Sequence, residues 1–457
     1  MRTRAMRRVT ARHNWDRLRV SFWFAPAFTA VAAVLLAWAM YWWDTQIPNE
    51  ALASSRLVLS GTSGEQRSAL LSMAGTVLAT AGVVFTLLTL PLSTVAAQYG
   101  SRLLRVFLGD RTTQFVLSMF VGTFVYCVAA ALSIPPAGAG HESPQLTATL
   151  GVYLMLATFA TLIVLVQHIS TMLQAPNIAA AAGAELRDVI GAEISNQVTS
   201  GDGGWDGSET RLSPDPVLVP DAGAETEGYP VRVRSTGYIQ YIDPEIMLTL
   251  AQKRNLVIRL LHKPGHFVHA GTVVAQVWPA GPVDEQFDKL IHRAFQVGNG
   301  RTPTQDIEYA VNQLTEMAVR AMSPAINDPF TAMTCLDHLG DGLTQFIQQG
   351  EKASHYYDRD GRLRLVLAPT TFGELLGAAF DMLRHASCDN ASVLLHMLEV
   401  IDVIGQAAQV PEARQLLLRH VSLIQAESQV GDLIEQDRQV LCRSAEALQK
   451  KLADAPS

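Results

Sequence analysis

The side chains best suited to chemistry lie between residues 301 and 331. Arg301, Asp306, Glu308, Arg320, Ser323, Asn327, Asp328 and Thr331 mix bases, acids and hydroxyls there. Guanidinium groups beside carboxylates and amides can hold a small polar ligand, and the same groups can neutralise one another as a buried structural network. Both readings stand on the residue types alone. A second candidate is "HKPGHFVH", which brings His262, His266 and His269 close in sequence. A hairpin would bring two of them to a metal, but the segment has no Cys, Asp or Glu to complete a ligand set. Histidines on a surface turn are the simpler reading, and neither a metal nor a cofactor is expected. Nucleophile elbow, P-loop, HExxH and dinucleotide fingerprint are missing from the chain, so it is read as a non-enzyme.

A third pattern consists of small residues. Gly75, Ala79, Gly82, Thr86, Thr89 and Ser93 alternate spacings of four and three, so they share one helix face, opposite Val77, Val84, Leu88 and Val95. In lipid such a face lets helices approach closely. Around a common axis it also suits a narrow polar pathway, and the two readings remain open.

These residues need elements to position them, and the chain divides into an apolar and a polar part. Residues 21–43, 68–95, 115–132 and 150–166 are apolar and carry no charge at their centres. The first would be about 34 Å long as a helix, enough to cross a bilayer. Bulky Trp42 and Trp43 stand where a cleavable signal would need small residues, and with Phe22, Trp23 and Tyr41 they suit membrane interfaces. Absence of ionisable groups mid-span argues against ion-coupled transport. Arg2, Arg4, Arg7, Arg8, Arg12, Arg17 and Arg19 precede the first span, and Arg102, Arg105 and Arg111 lie between the second and third. The other two loops lack a basic excess, so the positive-inside bias puts both termini in the cytoplasm.

The polar part begins with a helical pattern from residue 171 to about 198, followed by a Gly-, Asp- and Pro-rich linker. "PVRVRSTGYIQYI" and "NLVIRLLHKPGHFVHAGTVVAQVWP" are strand patterns, separated by a helix that Asp243 caps and Pro244 opens. Helical patterns then dominate. One is expected to start at Pro303 with Thr302 as cap, one at Asp328, and one at the Thr371–Glu374 capping box; Asp360-Gly361 turns a small hairpin. Pro324 and Asp328-Pro329 predict a tight helix–helix corner. The expected organisation is a basic N-terminus (1–20), a four-span bundle (21–171), a helix and linker (172–227), a β-rich domain (228–282) and a helical domain (283–457). The class is an α+β membrane protein with a four-helix transmembrane bundle, a cytoplasmic β-rich module and a helical region.

Cys127, Cys335, Cys388 and Cys442 are scattered and form no C-x-x-C pair, which excludes a disulfide framework or zinc finger. A net charge of −7 offers nothing for nucleic acid. "AAQYGSRLLRVFLGDRTTQFVLSMFVGTFVYC", "RTPTQDIEYAVNQLTEMAVRAMSPAINDPFTAMTCLDHL" and the opening "RLRVSFWFAPA" resemble bacterial predicted membrane proteins grouped as domain of unknown function 2254. The resemblance implies the architecture and assigns no activity. The expectation is a homo-oligomer in the bacterial inner membrane, permeated passively in a channel-like way and regulated by its cytoplasmic region. A membrane-anchored sensor or scaffold without a pore is the alternative, and an unrecognised membrane enzyme the second. The bilayer is the expected partner, and any ligand is undetermined. Reporter fusions after Ser60 and near Gly140 should be periplasmic, and fusions after Gly109 or at the C-terminus cytoplasmic. Cytoplasmic exposure near Gly140 would overturn the four-span topology.

Overall fold

The computed structural model describes residues 24–46, 58, 61–98, 110–134, 144–172, 174–195, 228–279, 284–351, 355–358 and 360–454. The expected basic N-terminus, the Gly-rich linker, and Arg102 and Arg105 lie outside these residues. The chain forms two compact units, Met1–Ile178 and Ala179–Ser457.

The first unit holds α1 (Phe24–Asp44), α2 (Ser63–Gln98), α3 (Arg111–Ser133) and α4 (Gln145–Met172), all with stretches long and apolar enough to cross a membrane. α3 is the central helix and packs on the other three. Tyr126 and Cys127 of α3 fill one core layer with Leu70 of α2 and Ala37 of α1. Phe120 fills a second with Val77, Val84 and Leu165. Several polar groups inside pair with each other, as burial favours, although the buried Gln66 side chain has no hydrogen-bond partner among the described residues. The Thr123 and Thr158 hydroxyls lie 2.7 Å apart, and the Tyr126 hydroxyl donates to the Thr147 carbonyl at 2.9 Å. Carboxylates meet the free amides at helix starts. Asp44 accepts from the Leu146 and Thr147 amides at 3.0 and 2.7 Å, and Asp110 from the Thr113 amide at 2.7 Å.

The second unit begins on α5 (Ala175–Ser195), then runs β1 (Tyr229–Arg232), β2 (Gly237–Ile242), α6 (Pro244–Arg254), β3 (Val257–Leu260), β4 (Phe267–Val268), β5 (Val273–Trp278), α7 (Glu285–Arg293) and β6 (Phe295–Gly298). After them come α8 (Ile307–Ala321), α9 (Pro329–Gln349), β7 (His355–Tyr357), β8 (Leu363–Val366), α10 (Phe372–Ala386), α11 (Ala391–Ala407), α12 (Pro411–Val430) and α13 (Glu435–Asp454). One sheet has the order β1-β5-β3-β8-β7 and the other β4-β2-β6. β8 pairs in parallel with β3, so the hairpin turning at Asp360-Gly361 completes the sheet of the β-rich region. The sheet thus draws strands from both sides of the expected boundary at residue 282. Strand patterns alone carry no pairing information across such a distance.

The expected helix start at Pro303 is also displaced. α8 starts at Ile307 with Asp306 as cap, because the Gln305 amide is committed elsewhere. It accepts from the Ile242 N–H at 2.9 Å and donates to the Ile242 carbonyl at 3.0 Å, which replaces a missing strand neighbour. Asp243, Asp328 and Thr371 cap their helices where expected.

Helix directions follow from contacts. α5 runs parallel to α9: Arg187 pairs with Asp341 at 2.7 Å, and a Cβ at Gly342 would stand 2.4 Å from Leu186 Cδ2. α11 is parallel to α9, with His396 on Asp337 at 2.7 Å and Val400 against Gly340. α13 runs alongside α11, its Leu452 against Gly405, while Lys451 reaches Asp402. α8, α10 and α12 run the opposite way, so residues 322–328, 387–390 and 431–434 all turn at one end of the helix layer.

The first of these turns is the proline corner. α8 ends at Ala321, Asn327 adopts a left-handed φ of 49°, and Asp328 accepts from the Thr331 amide at 3.1 Å. Asn is among the few residues that take this φ readily. Asp328→Ala should lower unfolding free energy by about 1 kcal/mol in a denaturant titration, whereas Asp328→Asn should retain most of it because Asn caps almost as well. A full loss in both variants would give the carboxylate charge a separate role.

Candidate functional site

The turn Lys263-Pro264-Gly265, between β3 and β4, projects onto the starts of α8 and α10. Gly265 has a φ of +93°, and a Cβ there would lie 2.3 Å from Asp306 Oδ2, so only glycine lets the turn reach this carboxylate. Asp306 is 3% exposed. Its oxygens accept two parallel bonds from Arg301, Nε at 2.7 Å and Nη2 at 2.8 Å, and one from the Tyr309 amide at 3.0 Å. Glu308 adds a longer contact to Arg301 at 3.5 Å. Burial alone would lower the Arg301 pKa, but the two carboxylates outweigh it and raise it. The guanidinium is fixed as a cation.

One residue away, Lys263 is 8% exposed and donates to Glu374 Oε2 at 2.6 Å. Glu374 is also the capping-box acid of α10. Burial would raise the Glu374 carboxyl, yet bonds from Lys263 and the Thr371 amide hold it below the ordinary carboxylate value. His262 and His266 face each other, Nδ1 to Nδ1 at 3.3 Å. Burial pushes the His266 pKa down, and the Lys263 and His262 charges push it the same way against Glu308 and Glu374. His269 is turned away, its ring edge-on to Phe267 at 5.2 Å. Among the described residues no three His, Cys, Asp or Glu side chains converge on a metal position.

Beside the turn opens a cleft of about 50 Å³, lined by His262, Lys263 and Gln305 and by Leu260, Leu367 and Pro369.

The eight residues singled out between 301 and 331 therefore do not form one site. Arg301, Asp306 and Glu308 gather at the start of α8. Asp328 and Thr331 cap α9 past the other end of that helix, with Asn327 exposed and Ser323 accepting from the Ile326 and Asn327 amides. Arg320 pairs with Glu316 at 3.0 Å. α8, at 15 residues, separates the two groups by about 22 Å. Lys263, Glu374 and Gln305 were not singled out for the site. The capping box exposed Glu374 as a helix signal, but nothing local predicts that its second partner lies 111 residues away.

Gly75, Ala79, Gly82, Thr86, Thr89 and Ser93 do share one face, and all six are exposed on the first unit. No atom lies within 4 Å of a Cβ built at Gly75 or Gly82, so among the described residues no helix packs on this face at these two glycines.

Acidification should weaken the site. The ordinary histidine value is 6.5 and the folded His266 lies lower, so its contribution to stability is complete above 6.5 and is lost as pH falls through the folded value. Glu374 acts in the same direction further down, below 4.5. Melting temperature should fall as pH drops below 6.5, and His266→Gln should flatten that part of the profile. An unchanged slope would remove His266 from the account.

Residues 19–402 match the family described as Predicted membrane protein (DUF2254). Uncharacterized proteins of Mycobacterium bovis and Mycobacterium tuberculosis are 26% identical over 436 residues, which is 94% of this chain and 80% of each relative. No solved structure matches. With four bilayer-length helices and a family match across most of its length, the chain belongs to the DUF2254 family of predicted membrane proteins.

Proposed function

We propose that this protein is a channel-like passive permeation protein of the inner membrane, assembled from several copies and regulated by a cytoplasmic second unit. The observation that carries the reading is the outward face of α2. Its small and hydroxyl residues are exposed while Val77 and Val84 behind them are 1% exposed. The space between the helices of one copy is filled by Leu70, Phe120, Tyr126 and Leu165, so a pathway would run between copies. Small residues are what close helix approach in lipid requires. Thr86 donates its hydroxyl proton to the Gly82 carbonyl at 3.1 Å and Thr89 to the Thr86 carbonyl at 3.2 Å. Lone pairs are then left for a permeant, which suits a cation better than an anion.

A sensor or scaffold without a pore is the second reading, favoured by the cleft beside Lys263. Purified protein in planar bilayers separates the two, since a scaffold gives no conductance. Conductance is expected, together with reaction of Thr86→Cys and Thr89→Cys with water-soluble thiol reagents and protection of Val84→Cys and Leu88→Cys. Silent bilayers with uniform protection would refute the channel reading.

A further inference from the structure

His262 lies just past β3 and His266 just before β4, and the turn between them is held on both sides. The His266 amide donates to the Lys263 carbonyl at 3.2 Å across Pro264 and Gly265, whose φ of +93° completes a type II pattern. Around the turn, the Leu261 amide donates to the Val274 carbonyl at 3.0 Å and the Gly265 amide to the Ile239 carbonyl at 2.8 Å. The Ile239 amide returns to the His266 carbonyl at 2.9 Å. The backbone beneath both imidazoles is therefore fixed by the sheet.

The two rings stand edge to face with centroids 5.6 Å apart, and their Nδ1 atoms are 3.3 Å apart. Bonds from N–H to oxygen span about 2.7–3.2 Å, so a direct bond between the rings is a weak one. Two histidine nitrogens bound to one tetrahedral ion at about 2.0–2.1 Å stand roughly 3.3–3.4 Å apart, which matches the separation found. Residue types alone read these side chains as histidines of a surface turn, and the bite distance is what they do not carry. Charge at the turn also favours a cation. Arg301 and Lys263 are gathered there with the three carboxylates of Asp306, Glu308 and Glu374. Lys263 would repel a metal, but Glu374 neutralises it at 2.6 Å. Burial, with the Lys263 and His262 charges, holds the His266 pKa below the ordinary histidine value against Glu308 and Glu374. Its ring is then neutral at neutral pH, as a metal ligand must be.

We infer that His262 Nδ1 and His266 Nδ1 form a binding site for a borderline divalent ion such as Zn²⁺, with water in the remaining positions. Imidazole suits Zn²⁺, whereas Mg²⁺ and Ca²⁺ call for oxygen ligands. Among the described residues no third side chain converges on the ion, so the site is open and exchangeable. A bound ion would fasten the end of β3 to the start of β4, beside the starts of α8 and α10. The site is built within the second unit and is independent of whether the protein forms a pore.

The test uses the full chain in detergent micelles, with Cys388→Ser and Cys442→Ser as background because thiolates compete for the same ions. Zn²⁺ followed by calorimetry should saturate a single site and raise the melting temperature, since an ion that binds the folded chain stabilises it. His262→Gln and His266→Gln should each weaken that binding by at least the roughly 10–100-fold that loss of an outer-shell partner costs. His269→Gln should leave it unchanged, because that ring is turned onto Phe267. Cu²⁺ on the unsubstituted pair should show two coordinated imidazoles by pulsed EPR, a readout that stands even if a variant fails to fold. Zn²⁺ binding that survives both substitutions, or a single imidazole on Cu²⁺ in the unsubstituted pair, would mean an adventitious ion only and overturn the proposal. Absence of binding would overturn it as well.

Discussion

A carboxylate that is 3% exposed must have its lone pairs answered, and two parts of the second unit answer Asp306 while a third packs against it. Arg301 grips it from the preceding loop, the Tyr309 amide caps from the following turn, and Gly265 brings the β-turn against it. Much of the unit follows from this arrangement. With Asp306 as the cap, Gln305 braces Ile242 and Lys263 is delivered to Glu374 at the start of α10. That ties the starts of α8 and α10 to one turn, which makes the two helices parallel. Removing one partner of such a pair typically costs on the order of 3 kcal/mol, and the 19% exposure of the Arg301 side chain places this pair below that figure.

The cap of one helix and the cleft beside it thus share their supports. Lys263 borders the cleft and is held by Glu374, while Gln305 borders it and is held by Ile242. A ligand that displaces either bond acts directly on a helix start or on the edge of β2. This gives the cleft a physical route into the helix layer without any long chain of side chains.

Local signals were legible in the sequence, and long-range partnerships were not. The four apolar helices, the Asp243-Pro244 start, the proline corner and the Thr371–Glu374 box follow from residue types within a few positions of each other. The corner at residue 322 needs only proline geometry and an Asx cap. By contrast, Thr302 and Gln305 fit a capping box as well as Thr371 and Glu374 do, and the strand that captures Gln305 lies 63 residues upstream. The union of β3 with β8, which pairs Ile258 with Leu365, is more distant still and joins regions that composition separates. For the same reason the eight polar residues looked like one cluster: sequence proximity hides the length of the helix between them.

The hydroxyls of α2 have a consequence for an assembly of the kind proposed above. Thr76, Thr80, Thr86 and Thr89 each return their proton to a carbonyl of their own helix. None of these protons needs a neighbour, so the helix is as well satisfied facing acyl chains as facing another copy. Parting two copies strands no donor in hydrocarbon, and joining them forms no directional bond that must later break. In the proposed assembly shape and lipid packing would set the affinity, which would make it exchangeable and sensitive to bilayer thickness.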